Sequence, residues 1–141
     1  MGTTIVGLLP VAKGDYMVWF HVGDSRLYRW RDSKLECLTT DHSAYNAWIK
    51  KGRPGDEPSK NVITRAIGPN VASSADIGWG KWQKDDIYFM CSDGLTDMIT
   101  EDQIAEILAA GNSVDDIAAQ LIDKAKDAGG KDNTSVIVCQ V

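Results

Sequence analysis

No apolar run in this sequence approaches the roughly 20 residues that a membrane-spanning helix needs, so no membrane association is expected. The N-terminus has no basic region followed by an apolar stretch, and no secretion signal is expected. Basic residues are too few for a positive stripe. Fifteen Lys and Arg stand against twenty Asp and Glu, a net charge of -5, which argues against a nucleic-acid backbone as partner. The three cysteines, Cys37, Cys91 and Cys139, are odd in number, far apart and set in apolar surroundings. They are expected to be reduced core residues of a cytoplasmic protein. There is no internal repeat and no low-complexity tract.

What remains is ordinary for a globular domain: 141 residues, 43% hydrophobic and 25% charged, enough for one core. The first two thirds read as β. Ile5–Val11 and Tyr16–Val22 are rich in apolar, aromatic and β-branched residues, and residues 12–15 between them have turn chemistry. Residues 27–30 and 35–38 predict a second strand pair. Residues 76–82 predict a further strand, on which Trp79 and Trp82 point to opposite faces, so at least one is expected at the surface. The continuous apolar run Ile87–Cys91 predicts a buried strand.

Between residues 41 and 61 the pattern breaks into a short helix over 44–51 and a polar Pro/Gly loop over 52–58. The last third turns helical. Thr100 and Gln103 fit a capping box, followed by Ile104, Ile107 and Leu108, with Gly111 as terminator. Ser113 caps a second helix with the stripe Val114, Ile117, Ala118, Leu121, Ile122 and Ala125, stopped by Gly129-Gly130. Residues 135–141 close as a strand. Strands, two helices and a strand predict an α+β fold with helices packed on antiparallel sheet.

Two aspartates stand at the edges of predicted strands. Asp93 follows Ile87–Cys91 and precedes Gly94, which permits a sharp turn and close approach of a ligand. Asp132 lies in Gly129-Gly130-Lys131-Asp132-Asn133, just before the last strand. Such carboxylates suit Mg²⁺ or Mn²⁺, which take oxygen ligands and keep several waters. Asp-Gly and Asp-Asn are also common turn dipeptides, so this local pattern serves either purpose.

Five longer segments bear on the choice: Val22-Gly23-Asp24-Ser25-Arg26, Thr39-Thr40-Asp41-His42-Ser43, Ile63-Thr64-Arg65-Ala66-Ile67-Gly68, residues 86–95 around Ser92-Asp93-Gly94, and Asp132-Asn133-Thr134-Ser135-Val136. In this order and spacing they resemble the metal-dependent serine/threonine protein phosphatases of the type 2C family, over nearly the whole chain. The resemblance implies an α-β-β-α sandwich, two stacked antiparallel sheets flanked by helices, with metals in a cleft at one end. It implies that Asp93 and Asp132 bind one metal of a bridged Mn²⁺ or Mg²⁺ pair, and that Asp24 helps Asp93 hold a third. Residues 41–61 would be the flap beside the active site. The implied substrate is a phosphoprotein, hydrolysed at phosphoserine or phosphothreonine by metal-activated water without a covalent intermediate. No Cys-x5-Arg or Ser-His-Asp pattern is then required.

Two motifs of the family have no counterpart here. They are an Arg…Glu-Asp motif, which supplies the phosphate-binding arginine, and an Asp-Gly-x-Gly-Gly motif, whose aspartate bridges the metals. Residues 1–141 are therefore expected to be the C-terminal part of one catalytic domain, inactive alone, with strand edges bared for a homodimer. The other readings are a non-catalytic metal- or protein-binding regulatory module, and a split phosphatase completed by another chain.

The remaining polar residues have competing readings. His42 is a ligand or general acid, or a hydrogen-bonded loop residue. His21 is a strand residue facing its neighbours. Arg65 approaches phosphate or serves structure. Arg26 is expected to pair with Asp24 or support it, and Asp97 is a near-site acid or surface.

Overall fold

The alternating and continuous apolar runs become seven strands in the computed structural model, which describes residues 2–68 and 74–141. Strands β1 (Ile5–Val11) and β2 (Tyr16–Val22) form a hairpin whose turn uses positive φ at Gly14 and Asp15. Strands β3 (Arg26–Arg31) and β4 (Lys34–Cys37) are joined by two residues only, Asp32 and Ser33, at φ 49° and 59°. Positive φ at both positions is what a tight hairpin needs to match strand twist. Strand β5 is Asp76–Lys81, β6 is Ile87–Cys91 and β7 is Val136–Gln140.

All pairings are antiparallel and fall into two sheets, in the orders β1-β2-β5 and β4-β3-β6-β7. The sheets stack through Met17, Leu27 and Tyr88, with Val6, Leu8, Trp19, Trp82 and Met90 around them. The opposite face of the four-stranded sheet presents Tyr28, Ile87, Phe89 and Cys91 to helices α3 (Glu101–Ala109) and α4 (Val114–Asp127). Tyr28 and Phe89 stack there at 4.8 Å. Thus β6 is covered on both faces, as its unbroken apolar run predicts. Both helices start as expected. Thr100 and Gln103 complete the capping box, and Ser113 accepts from the Asp116 N–H at 3.2 Å.

The α+β expectation holds. In the described residues, the helical layer covers only the four-stranded sheet. The outer face of β1-β2-β5 bares Leu9, Ile77 and Trp79, the last 70% exposed, while Trp82 packs inward. Residues 42–64 form a loop closed at its base by Thr64 N–H to His42 O at 2.7 Å and Ala44 N–H to Val62 O at 2.8 Å. Helix α1 (Ala44–Lys50), capped by Ser43, stands on this loop and buries no residue. One helix has no sequence forecast: α2 (Asp93–Thr96), a single turn directly after β6. Asp93-Gly94 reads locally as a turn, and only packing continues it as a helix.

Candidate metal centre

Gly94 brings two distant loops into contact. A Cβ on it would lie 2.4 Å from the Asn133 carbonyl oxygen, so only glycine lets α2 approach residues 132–135 so closely. Hydrogen bonds fix the junction. Ser92 N–H donates to Ser135 O at 3.1 Å, and Ser135 N–H returns to Ser92 Oγ at 3.0 Å. Ser92 Oγ donates to Asn133 O at 3.2 Å, and Thr134 Oγ1 to Gly94 O at 3.0 Å. Asp93, at the start of α2, and Asp132, in the loop before β7, are thereby carried by segments that are bonded to each other. Asp132 Oδ1 also accepts the Asn133 N–H at 2.7 Å, the turn role that its local sequence suggests.

Asp24, on the turn between β2 and β3, faces the same region. Asp24, Asp93 and Asp97 line one pocket of about 300 Å³, together with Arg26, Asp41, Lys60, Asn61 and Thr96. Burial, and then the charge of Asp93, push the Asp24 carboxyl above the usual carboxylate range. Asp97 is pushed up by burial and by Asp93, with a smaller push from Asp132. The charge of Asp93 thus disfavours ionisation of both neighbours.

Arg26 offsets part of this at Asp97, but it does not pair with Asp24. The expected pairing with Asp24 is replaced by a two-pronged ion pair with Asp41, at 2.9 and 2.7 Å. Asp97 is exposed and also lines this pocket, so both readings of it hold. A signal was present in the sequence: it lies four residues after Asp93, and one helical turn brings such positions to one side. Asp132 does not line this pocket but lies near enough to act on Asp97.

Hard oxygen donors in this number suit a divalent cation that retains waters, since such a cation needs only one or two protein carboxylates. A tighter group lies elsewhere. Among the described residues, only His21, His42 and Asp76 have three ligand-type atoms within 4.8 Å of one another. The two imidazoles are stacked, with centroids 4.5 Å apart and planes at 17°. Lone pairs in parallel ring planes do not converge on one ion. Gly23 N–H occupies His42 Nδ1 at 3.0 Å, and the Arg65 guanidinium stands 3.2 Å from Nε2. This group is a polar relay and not a cation site. His42 is hydrogen-bonded in its loop and Arg65 pairs with Asp76 at 2.7 Å, the structural readings of both. His21 faces Thr40 O at 2.9 Å through Nε2.

No family model matches the chain. Individual relatives do. A putative protein phosphatase 2C-type from Streptococcus pyogenes is 35% identical over 141 residues, covering 96% of this chain. A serine/threonine phosphatase of Listeria welshimeri is 34% identical over 145 residues, covering 99%. The chain spans 56% and 57% of the length of these two relatives. The crystal structure of the Mycobacterium tuberculosis serine/threonine phosphatase PstP superposes with a TM-score of 0.90 at 31% identity, over 99% of this chain and 60% of that one. The catalytic domain of PstP in complex with two manganese ions gives 0.85 at 32% identity, over 99% and 58%. Over nearly its whole length the chain is thus similar, in sequence and in fold, to a segment of protein phosphatase 2C-type serine/threonine phosphatases.

Proposed function

We propose that this chain carries part of the metal site of a protein serine/threonine phosphatase. Asp93 and Asp132 hold one Mn²⁺ or Mg²⁺ of the bridged pair, and Asp24 joins Asp93 at the third-metal position. The observation that carries this reading is the shared pocket lined by Asp24, Asp93 and Asp97, where burial and then the charge of Asp93 push Asp24 and Asp97 up. Bound cations of this kind activate water and neutralise charge on a phosphoryl group. The chain's own residues orient the carboxylates, through the Ser92–Ser135 bonds, and hold Asp41 away from the cations through Arg26. Lys60 and Asn61 border the same pocket from the 41–61 loop and face an incoming phosphoprotein.

Residues 1–141 act as one partial domain in this proposal. The bridging aspartate and phosphate-binding arginine of the resemblance come from outside it, so phosphoserine and phosphothreonine are hydrolysed only by the completed domain. The working location is the cytoplasm. The three cysteines are free, and no helix among the described residues is long and apolar enough to cross a membrane.

The test is Mn²⁺-dependent hydrolysis of p-nitrophenyl phosphate together with direct Mn²⁺ binding. The chain alone is expected to give no turnover and weak Mn²⁺ binding that is lost in Asp132→Ala. Robust turnover that disappears in Asp93→Ala would show the site to be complete and overturn the partial-site reading. Retained binding in Asp132→Ala would overturn the ligand assignment.

A homodimer is favoured by one feature, the apolar outer face of β1-β2-β5 beside the β1 edge, where Leu9, Val11, Ile77 and Trp79 are exposed. Light scattering of the purified chain is expected to give twice the monomer mass. A monodisperse monomer would exclude this pairing.

A further inference from the structure

Asp24 sits on a turn that is pinned from both sides. Gly23, just before it, has φ +112°, and a Cβ there would lie 2.3 Å from Thr4 Cγ2. Ser25, just after it, shares a hydrogen bond with Thr4 Oγ1 at 2.9 Å. Both backbone polar groups of Gly23 go to one residue. Its N–H donates to His42 Nδ1 at 3.0 Å, and its carbonyl accepts the His42 N–H at 2.9 Å.

The ring's proton follows by elimination. A backbone N–H can only donate, so Nδ1 is the bare nitrogen and the neutral ring carries its proton on Nε2; Arg65 Nη1, 3.2 Å from Nε2, is then a second donor to Asp76 and not a partner of the ring. That N–H points to Asp76 Oδ2 at 3.1 Å, and Asp76 Oδ1 accepts from Arg65 at 2.7 Å. His42 is buried, with 6% of its side chain exposed, while Asp76 is half exposed. Asp76 therefore selects the tautomer that leaves Nδ1 free to accept from Gly23. The chain of contacts runs from Arg65 through Asp76 and His42 to the residue beside Asp24.

We propose that His42, oriented by Asp76, is a positioning residue for Asp24. It fixes the Gly23 backbone and so aims the Asp24 carboxylate into the acidic pocket, without itself touching a cation. This rests on the metal-site reading above and deepens it. Outer-sphere partners that orient a ligand commonly alter metal affinity by 10- to 100-fold. The relay thus links the loop at 42–64 and β5, through His42 and Asp76, to cation affinity at Asp24.

The test uses the full 141-residue chain and Mn²⁺ binding followed by electron paramagnetic resonance. His42→Leu removes the ring's contacts with Gly23 and Asp76 and is expected to weaken Asp24-dependent binding about 10-fold. His42→Asn places Oδ1 where Nδ1 was, keeps the acceptor for Gly23, and is expected to restore most of the affinity. In an Asp24→Ala background, His42→Leu is expected to change nothing further. Wild-type affinity in folded His42→Leu, or an equal loss with and without Asp24, would overturn the proposal, because a merely structural role predicts additive losses.

Asp76→Ala changes a half-exposed side chain and provides a variant that keeps the fold; it is expected to show a smaller loss of the same kind. If Asp24→Ala leaves Mn²⁺ binding unchanged, or the wild type binds none, the metal-site reading fails. The positioning claim is then decided on the metal-free chain. The Asp24 carboxyl ¹³C resonance is expected to move in His42→Leu and to stay in His42→Asn, and no movement in His42→Leu would overturn it.

Discussion

Gly94 and the carbonyl oxygen of Asn133 are so close that a single added methyl group would stand 2.4 Å from that oxygen. The contact is with backbone, which cannot turn aside as a flexible side chain can. Gly94→Ala is therefore expected to destabilise the protein by about 1–3 kcal/mol, the usual scale of overpacking. It should also part Asp93 from Asp132 and weaken Mn²⁺ binding. Urea unfolding and a Mn²⁺ titration on the same variant check both outcomes.

Asp24 gives the opposite trend in stability. It is pushed up by burial and by Asp93, Asp41 and Asp97, so its charge opposes folding when no cation is present. Asp24→Asn is expected to raise the melting temperature of the metal-free chain, an exchange of function for stability. Added Mn²⁺ should stabilise the wild type more than the variant, because only a folded site binds the cation. Melting curves with and without millimolar Mn²⁺ test this, and an equal shift in both proteins would remove Asp24 from the site.

Among the described residues, Arg31 and Asp86 form the ion pair with the most deeply buried carboxylate, the Asp86 side chain being 1% exposed and Arg31 Nε 2.7 Å from its Oδ1. Gln83 N–H also donates to Asp86, at 2.8 Å. Arg31→Ala leaves this carboxylate buried with its cation gone, and is expected to lower stability by about 3–5 kcal/mol. Replacing both residues by apolar ones of similar volume should restore a large part of the loss. Chemical unfolding of the single and double variants measures the difference.

Acid should weaken the fold in two stages. Burial lowers His42 from its ordinary 6.5, so the unfolded chain takes up this proton more readily than the folded one. Its contribution is full above 6.5 and is lost as pH falls through the window below that value. Asp76 is held down to about 2, from 3.8, first by the His42 hydrogen bond and then by Arg65. Its contribution is present above 3.8 and is lost as pH falls towards 2. Asp24 and Asp97, both raised, act in the reverse sense just above 3.8 and soften the second stage. Urea midpoints measured downwards from neutral pH should fall first below 6.5, and His42→Asn should remove that first fall.

Much of this was open to a reading of residues along the chain. The strands β1, β2 and β6 have their expected bounds, because period-two and continuous apolar patterns are local properties. The starts of α3 and α4 follow from Thr100, Gln103 and Ser113, which bond to groups within three residues. Ordered motifs identified Asp24, Asp93 and Asp132 as candidates, and the segments at Asp93 and Asp132 are bonded to each other.

The sequence by itself determined the type and order of the strands and of helices α1, α3 and α4, and the identities of the acidic residues. The tertiary structure alone decided which of them meet. Arg26 has Asp24 two residues away, yet its guanidinium fork fits Asp41 across the β3–loop junction. Asp97 entered the pocket only because α2 continues one turn past Asp93, with Asp97 N–H bonded to Asp93 O at 2.8 Å. The relay from Arg65 through Asp76 and His42 to Gly23 joins four separate segments, and no local pattern marks it. Period, capping and turn preferences act over a few residues, whereas charge pairing and close approach depend on which surfaces the packed sheets bring together.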